Sequence, residues 1–128
     1  MPTTKASRTL LVVEDNQVER EGLVALLQND GYNVSSAPNG REALRCLQAD
    51  PQPDLLLMDM LMPDQDGWQF LRQLQQKSNL ASVPVIIVTG LNSASPEWAL
   101  SLGAAGLIRK PVDVEQLHKQ IDRVLEAD

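Results

Sequence analysis

The chain has 128 residues, 43% of them hydrophobic, which is enough for one compact domain with a real core. Its 17 acidic and 11 basic residues give a formal net charge of −6 at pH 7, which argues against non-specific nucleic-acid binding. No apolar run approaches the ~18 residues that span a bilayer, and residues 1–7 lack the apolar core of a signal peptide. The single cysteine, Cys46, cannot form an internal disulfide, so we expect a cytoplasmic protein that binds neither membrane nor nucleic acid.

Short strands alternate with amphipathic helices five times along the chain. The strands are predicted at residues 9–13 and 33–37, between Asp54 and Asp59, and at 84–88 and 105–109, and helices follow each of them. The second strand is polar and the fifth is rich in small residues, so both are predicted at sheet edges, whereas the other three are apolar and central. This pattern predicts an α/β fold, a doubly wound parallel sheet of five strands in the flavodoxin-like order 2-1-3-4-5.

The apolar positions also predict domain limits and buried helix faces. We assign the domain to residues 9–125, with short tails at 1–8 and 126–128. The first helix is predicted to bury Val18 together with three leucines, and the last helix to bury Val114 together with Leu117, Ile121 and Val124.

Polar side chains follow the carboxyl ends of four strands. Glu14 and Asp15 follow the first strand, Asp59 the third, Thr89 the fourth and Lys110 the fifth. Because the first and third strands are neighbours in the predicted order, three carboxylates converge, and their mutual repulsion favours a hard cation, Mg²⁺ or alternatively Mn²⁺. With a hydroxyl and an ammonium opposite, the set suits phosphoryl transfer, with Asp59 as the nucleophile. Taken alone, Asp59 could equally cap the loop that follows it.

The chain resembles the receiver domain family of response regulators from about Leu10 to Leu125. The resemblance rests on the acid pair at 14–15, on Asp59 with residues 62–67 behind it, on Thr89-Gly90 and on Lys110-Pro111. Each motif is weak alone, but all of them occur in the right order and at the right strand end. The resemblance implies a phospho-accepting protein of two-component or phosphorelay signalling that catalyses only its own phosphorylation and dephosphorylation.

The resemblance further implies a role for each site residue. Asp59 takes a phosphoryl group from a phosphohistidine donor, and Thr89 and Lys110 contact the phosphoryl oxygens. The implied Mg²⁺ ligands are the carboxylate of Asp59, Asp15 directly, Glu14 through water, and the backbone carbonyl of Leu61. A cis peptide bond is implied before Pro111.

Phosphorylation is expected to remodel the face formed by the fourth helix, fifth strand and fifth helix, with Thr89, Leu107 and Pro111 as the implied switch residues. The implied partners are a histidine kinase or histidine phosphotransfer protein, then an unknown target or a second copy of the chain.

Two features concern how the domain responds to phosphorylation and how long the phosphorylated state lasts. Receivers usually carry an aromatic residue where this chain has Leu107, so the chain lacks the family's usual aromatic switch residue. Leu61 and Leu91, each two residues beyond a site residue, flank the family's path for attacking water. We hypothesise that these apolar side chains hinder the water and lengthen the phosphorylated state.

Three other interpretations remain open. A phosphatase of the haloacid-dehalogenase type also forms an aspartyl phosphate, but it needs a second acid where this chain has Leu61. A flavodoxin-like cofactor binder needs a hydroxyl- and glycine-rich loop after the first strand, whereas Glu14 and Asp15 would repel a phosphate. A receiver-shaped interaction module that is never phosphorylated is the third, and Leu107 is the feature in its favour.

Overall fold

The computed structural model describes residues 7–49, 52–60, 67–77 and 82–126. Within them, five parallel strands form one sheet in the order β2-β1-β3-β4-β5, so the predicted flavodoxin-like topology is confirmed. The strands are β1 Thr9–Val13, β2 Asn33–Ala37, β3 Leu55–Met58, β4 Val85–Thr89 and β5 Gly106–Arg109. The helices are α1 Gln17–Asn29, α2 Gly40–Gln48, α3 Gly67–Gln76, α4 Pro96–Ser101 and α5 Val114–Glu126.

Helices cover both faces of the sheet, and each face has its own apolar core. One core joins the sheet to α2, α3 and α4 around Phe70, and the other joins it to α1 and α5 around Leu27 and Ile121. Strands β1, β3 and β4 are almost wholly buried because both of their faces are covered, whereas β2 and β5 are partly exposed edges, as predicted.

Two valines predicted in the core are instead exposed. Val18 is 79% exposed and Val114 is 43% exposed. Each lies in the first turn of its helix, which begins beyond the carboxyl end of the sheet and outside both apolar cores. The α5 helix also includes Glu126, which we expected in the tail, while residues 1–6, 127 and 128 lie outside the described residues.

Side-chain caps and glycines fix where the helices begin and end. The side chain of Asn16 accepts a hydrogen bond from the amide of Glu19 at 2.9 Å, which starts α1 directly after the acid pair. Gly31 ends α1 with a φ of 104°, a conformation that glycine adopts without strain. In the described segments, no helix combines the length and the apolar character that crossing a bilayer requires.

Candidate functional site

The register of the sheet places the predicted acids at one level. Val13 of β1 pairs with Met58 of β3, so Glu14 and Asp59 leave neighbouring strands side by side, and the amide of Asp59 donates to the carbonyl of Val13 at 3.1 Å. One carboxylate oxygen from each of Glu14, Asp15 and Asp59 lies within 4.8 Å of the others. Glu14 and Asp59 are buried and Asp15 is exposed, so the cluster opens to solvent on one side.

Lys110 reaches into this cluster from the end of β5. Its Nζ lies 2.5 Å from Oε1 of Glu14 and 2.8 Å from Oδ2 of Asp59, so one ammonium bridges acids from two strands. The peptide bond between Lys110 and Pro111 is cis, as the resemblance implies. The structure therefore brings together the three acids and the lysine that the sequence selected.

The electrostatics of the site follow from burial and pairing. Burial raises the pKa of Glu14 above its ordinary value, and the hydrogen bond from Lys110 offsets only part of this effect. Burial alone would lower the pKa of Lys110, but its hydrogen bonds to Asp59 and Glu14 and their negative charges outweigh it and raise that pKa. Lys110 is therefore a fixed positive charge at any physiological pH.

Thr89 links the site to the loop before α4. It is the last residue of β4, between β3 and β5, and it is fully buried. Its carbonyl accepts from the amide of Lys110 at 2.9 Å, and its hydroxyl oxygen accepts from the amide of Leu91 at 3.3 Å. Thr89 is thus linked through its carbonyl to Lys110 and through its hydroxyl oxygen to the segment that leads into α4.

Two residues of α1 belong to the site although the sequence did not single them out. Oε2 of Glu19 lies 3.4 Å from Nζ of Lys110, which makes it a third carboxylate around the ammonium. Nη1 of Arg20 donates to the carbonyl of Glu14 at 2.9 Å and, less closely, to that of Asp15 at 3.4 Å. The sequence feature that could have identified both residues is their place at the start of the helix that begins directly after the acid pair.

The remaining predicted positions lie around this centre. Leu107 is half-buried on β5 and packs against the core on the side of α2, α3 and α4, and Leu91 is a half-buried neighbour of the same core. Pro111 is exposed. Leu61 lies outside the described residues, so its role as a carbonyl ligand stays a prediction.

An aromatic contact joins α3 to α4. The rings of Trp68 and Trp98 meet edge to face, with centroids 5.9 Å apart and planes at 70°. Gln75 of α3 adds a hydrogen bond of 2.8 Å to the carbonyl of Leu102. The helix that follows Thr89 is therefore tied to the helix that follows the Asp59 loop.

The chain belongs to the family of response regulator receiver domains, whose pattern matches residues 10–122. These are signalling proteins of two-component systems rather than enzymes in the ordinary sense, and they interact with histidine kinases and downstream targets.

The chain is also similar to individual relatives and to a solved structure. The chain is 38% identical over 117 residues to Protein PilH of Pseudomonas aeruginosa, covering 91% of this chain and 96% of that protein. It is 37% identical over 109 residues to Response regulator MprA of Mycolicibacterium vanbaalenii, but it spans only 46% of that protein. The structure of the chemotaxis response regulator CheY4 of Vibrio cholerae is similar, with a TM-score of 0.81, 32% identity, and coverage of 92% of this chain and 98% of that one.

Receiver domains bind Mg²⁺ at an acidic pocket, and the donor set of this chain fits such an ion. The cluster offers carboxylate oxygens from Glu14, Asp15 and Asp59, and it has no histidine or cysteine among the described residues that would select a softer metal. A single ammonium from Lys110 leaves the three acids with excess negative charge, which a divalent cation would neutralise.

Proposed function

We propose that Asp59 is the phosphoacceptor of a receiver that takes a phosphoryl group from a phosphohistidine donor in the cytoplasm. The observation that supports this most is the convergence of three carboxylates and one ammonium where β1, β3 and β5 end. A carboxylate oxygen of Asp59 attacks phosphorus, an O–P bond forms, and the P–N bond to the donor imidazole breaks. The product is an acyl phosphate on Asp59 and a neutral imidazole once the leaving nitrogen takes a proton from solvent.

Lys110 holds the anionic groups of this reaction together. Its ammonium is 2.8 Å from Oδ2 of Asp59, so it is positioned to neutralise charge on incoming phosphoryl oxygens without prior movement of the backbone. Mg²⁺, held by Asp15, Asp59 and Glu14, would supply further neutralisation of the phosphoryl oxygens. Mn²⁺ would serve the same donor set.

Thr89 carries the signal away from the site in this proposal. A phosphoryl group offers new acceptor oxygens, and a hydroxyl that donates to one of them reorients relative to the amide of Leu91. The Leu91 segment then shifts, and with it α4, which changes the face formed by α4, β5 and α5. We propose that this face docks a downstream target or a second copy of the chain, with Leu107 and Pro111 moving in the shift.

Chemical phosphorylation with and without a divalent cation tests the proposal. We expect phosphoramidate, which carries the same P–N bond as phosphohistidine, to add one phosphoryl group per chain in the presence of Mg²⁺, as read by intact-protein mass. Removal of the ion with a chelator should slow this labelling by about a hundredfold or more, because the excess charge of the acids then repels the donor. Equal labelling rates with and without the ion would contradict the metal assignment.

The Arg20→Gln variant tests whether Arg20 fixes the geometry of the loop that carries Glu14 and Asp15. The Arg20→Gln change removes a cationic donor to the carbonyls of Glu14 and Asp15, so the loop loses a fixed geometry. We expect Mg²⁺ affinity to fall by about tenfold, the lower end of the range for residues that orient metal ligands. Arg45→Gln is the matched control, because Arg45 pairs only with Glu42 on the surface of α2 among the described contacts. Equal affinities of the two variants would count against this role.

The Leu91→Glu variant tests the hypothesis that apolar side chains near the site lengthen the phosphorylated state. If its half-buried side chain hinders attacking water, Leu91→Glu should speed loss of the phosphoryl group by about tenfold, since a carboxylate can orient water toward the acyl phosphate. Leu100→Glu, at an exposed leucine of α4, is the control and should leave the lifetime unchanged. The decay of the labelled mass after removal of phosphoramidate gives both rates, and an unchanged or slower decay of Leu91→Glu would refute the hypothesis.

A further inference from the structure

A cavity of about 360 Å³ lies beside the acidic cluster, between α1 and the loop that joins β5 to α5. Leu23 and Leu26 line it from α1, Val112 lines it from the loop, and Leu57 and Val88 line it from the sheet. Leu23, Leu26 and Val112 are only half-buried. The volume falls in the range of small-molecule sites, roughly 300 to 1,000 Å³.

The proposed phosphoryl transfer accounts for the charged end of this cavity but not for its apolar part. An aliphatic side chain contributes neither charge nor hydrogen bonds to a phosphoryl group, and Thr89 is not among the lining residues. An apolar hollow that continues into a cluster of charged groups has the two-part character of a ligand site, with one part for a hydrocarbon body and another for a polar head.

Gly22 of α1 is one of the residues that line the cavity. A methyl group built on this residue would meet no atom within 4 Å, so packing does not require glycine here. Glycine inside a helix is unfavourable relative to alanine, and Gly22 lies in the middle of α1. Gly22 lines the cavity, so a larger side chain at this position is expected to narrow it.

The charges at one end of the cavity determine which polar head group a ligand can place there. The carboxylates of Glu14, Asp59 and Glu19 surround Nζ of Lys110 at 2.5, 2.8 and 3.4 Å, so three negative charges face one positive charge. In the absence of a divalent cation this end repels a carboxylate or a phosphate and attracts an ammonium.

We infer that the cavity binds a small amphipathic primary amine, with its hydrocarbon body against the leucines of α1 and its ammonium at Glu19 and Asp59. This binding goes beyond the phosphoacceptor role, because it needs no phosphoryl group and no metal ion. Its success or failure can therefore be measured independently of phosphorylation.

Titration of the full chain with n-hexylamine in chelator-treated buffer, followed by amide NMR, tests the inference. We expect saturable shifts of the amides of Gly22, Leu26 and Val112, and at least about tenfold weaker binding of hexanoate. From butylamine to hexylamine, affinity should rise roughly fourfold for each added methylene that the cavity buries. The absence of saturable binding, or equal affinity for hexanoate, would overturn the inference.

Two variants locate the ligand within the protein. Gly22→Leu should fill the cavity and weaken hexylamine by at least about tenfold, whereas Ala25→Leu, at an exposed position of the same helix, should bind it like the wild type. Glu19→Gln should weaken hexylamine but not n-hexanol, which keeps the test decisive if Gly22→Leu does not fold. Unchanged hexylamine affinity in a folded Gly22→Leu variant, or in Glu19→Gln, would overturn the inference.

Discussion

Replacing Asp59 with asparagine should reduce labelling by phosphoramidate by at least about a thousandfold. An amide oxygen is a weak nucleophile and carries no negative charge, so neither the attack on phosphorus nor the metal site would survive the change. Asparagine has nearly the same shape as aspartate, and the backbone hydrogen bond from residue 59 to Val13 does not involve the side chain. The rate of mass increase with phosphoramidate and Mg²⁺ measures the effect.

Asp54→Asn is the matched control for this prediction. Asp54 precedes the same strand at its opposite end, where its side chain accepts from the amide of Thr9 at 2.8 Å, and asparagine can still accept there. We expect this variant to be labelled at the wild-type rate. Labelling of Asp59→Asn at a comparable rate would mean that another residue is the acceptor.

Replacing Lys110 with methionine should destabilise the metal-free protein by about 2 to 3 kcal/mol. The lysine side chain is 20% exposed, and its closest partners, the carboxylates of Glu14 and Asp59, are 6% and 10% exposed. Without the ammonium, these acids remain close together with no compensating charge and little water. Urea unfolding in the presence of a chelator gives the free energy of unfolding of each variant.

Lys119→Met provides the comparison for Lys110. Lys119 is exposed on α5, and a surface substitution of this kind changes stability by less than about 0.5 kcal/mol. Adding Glu14→Gln to Lys110→Met should recover part of the lost stability, because it removes one of the uncompensated charges. If Lys110→Met were as stable as Lys119→Met, the lysine would not be holding the acids together.

The strand order could be predicted from the sequence because the burial of a strand determines which residue types it contains. A strand covered on both faces, such as Leu55–Met58, can be apolar throughout, whereas the edge strand Asn33–Ala37 keeps polar residues. The same reasoning located Asp59 and Lys110, since polar residues that end parallel strands meet at one edge of the sheet.

Features at the start of a helix were harder to predict. Helical periodicity predicts which face of α1 packs on the sheet, but it does not show whether the long side chains of Glu19 and Arg20, at the start of that helix, reach the strand ends. The exposed Val18 has the same origin, because helical periodicity identifies a face but not where along the helix the core begins. The effect of Leu107 on the proposed switch would depend on a second conformation of the protein, which composition and spacing do not encode.

The most direct test of the phosphoacceptor assignment is a crystal structure of the protein with Mg²⁺ and beryllium trifluoride, which mimics a phosphoryl group on a carboxylate. We expect beryllium to be attached to Asp59, Mg²⁺ to contact Asp15 and Asp59, and fluorine atoms to accept hydrogen bonds from Thr89 and Lys110. A structure with beryllium on a different residue, or with Mg²⁺ held away from the acids that follow β1 and β3, would contradict the phosphoacceptor assignment.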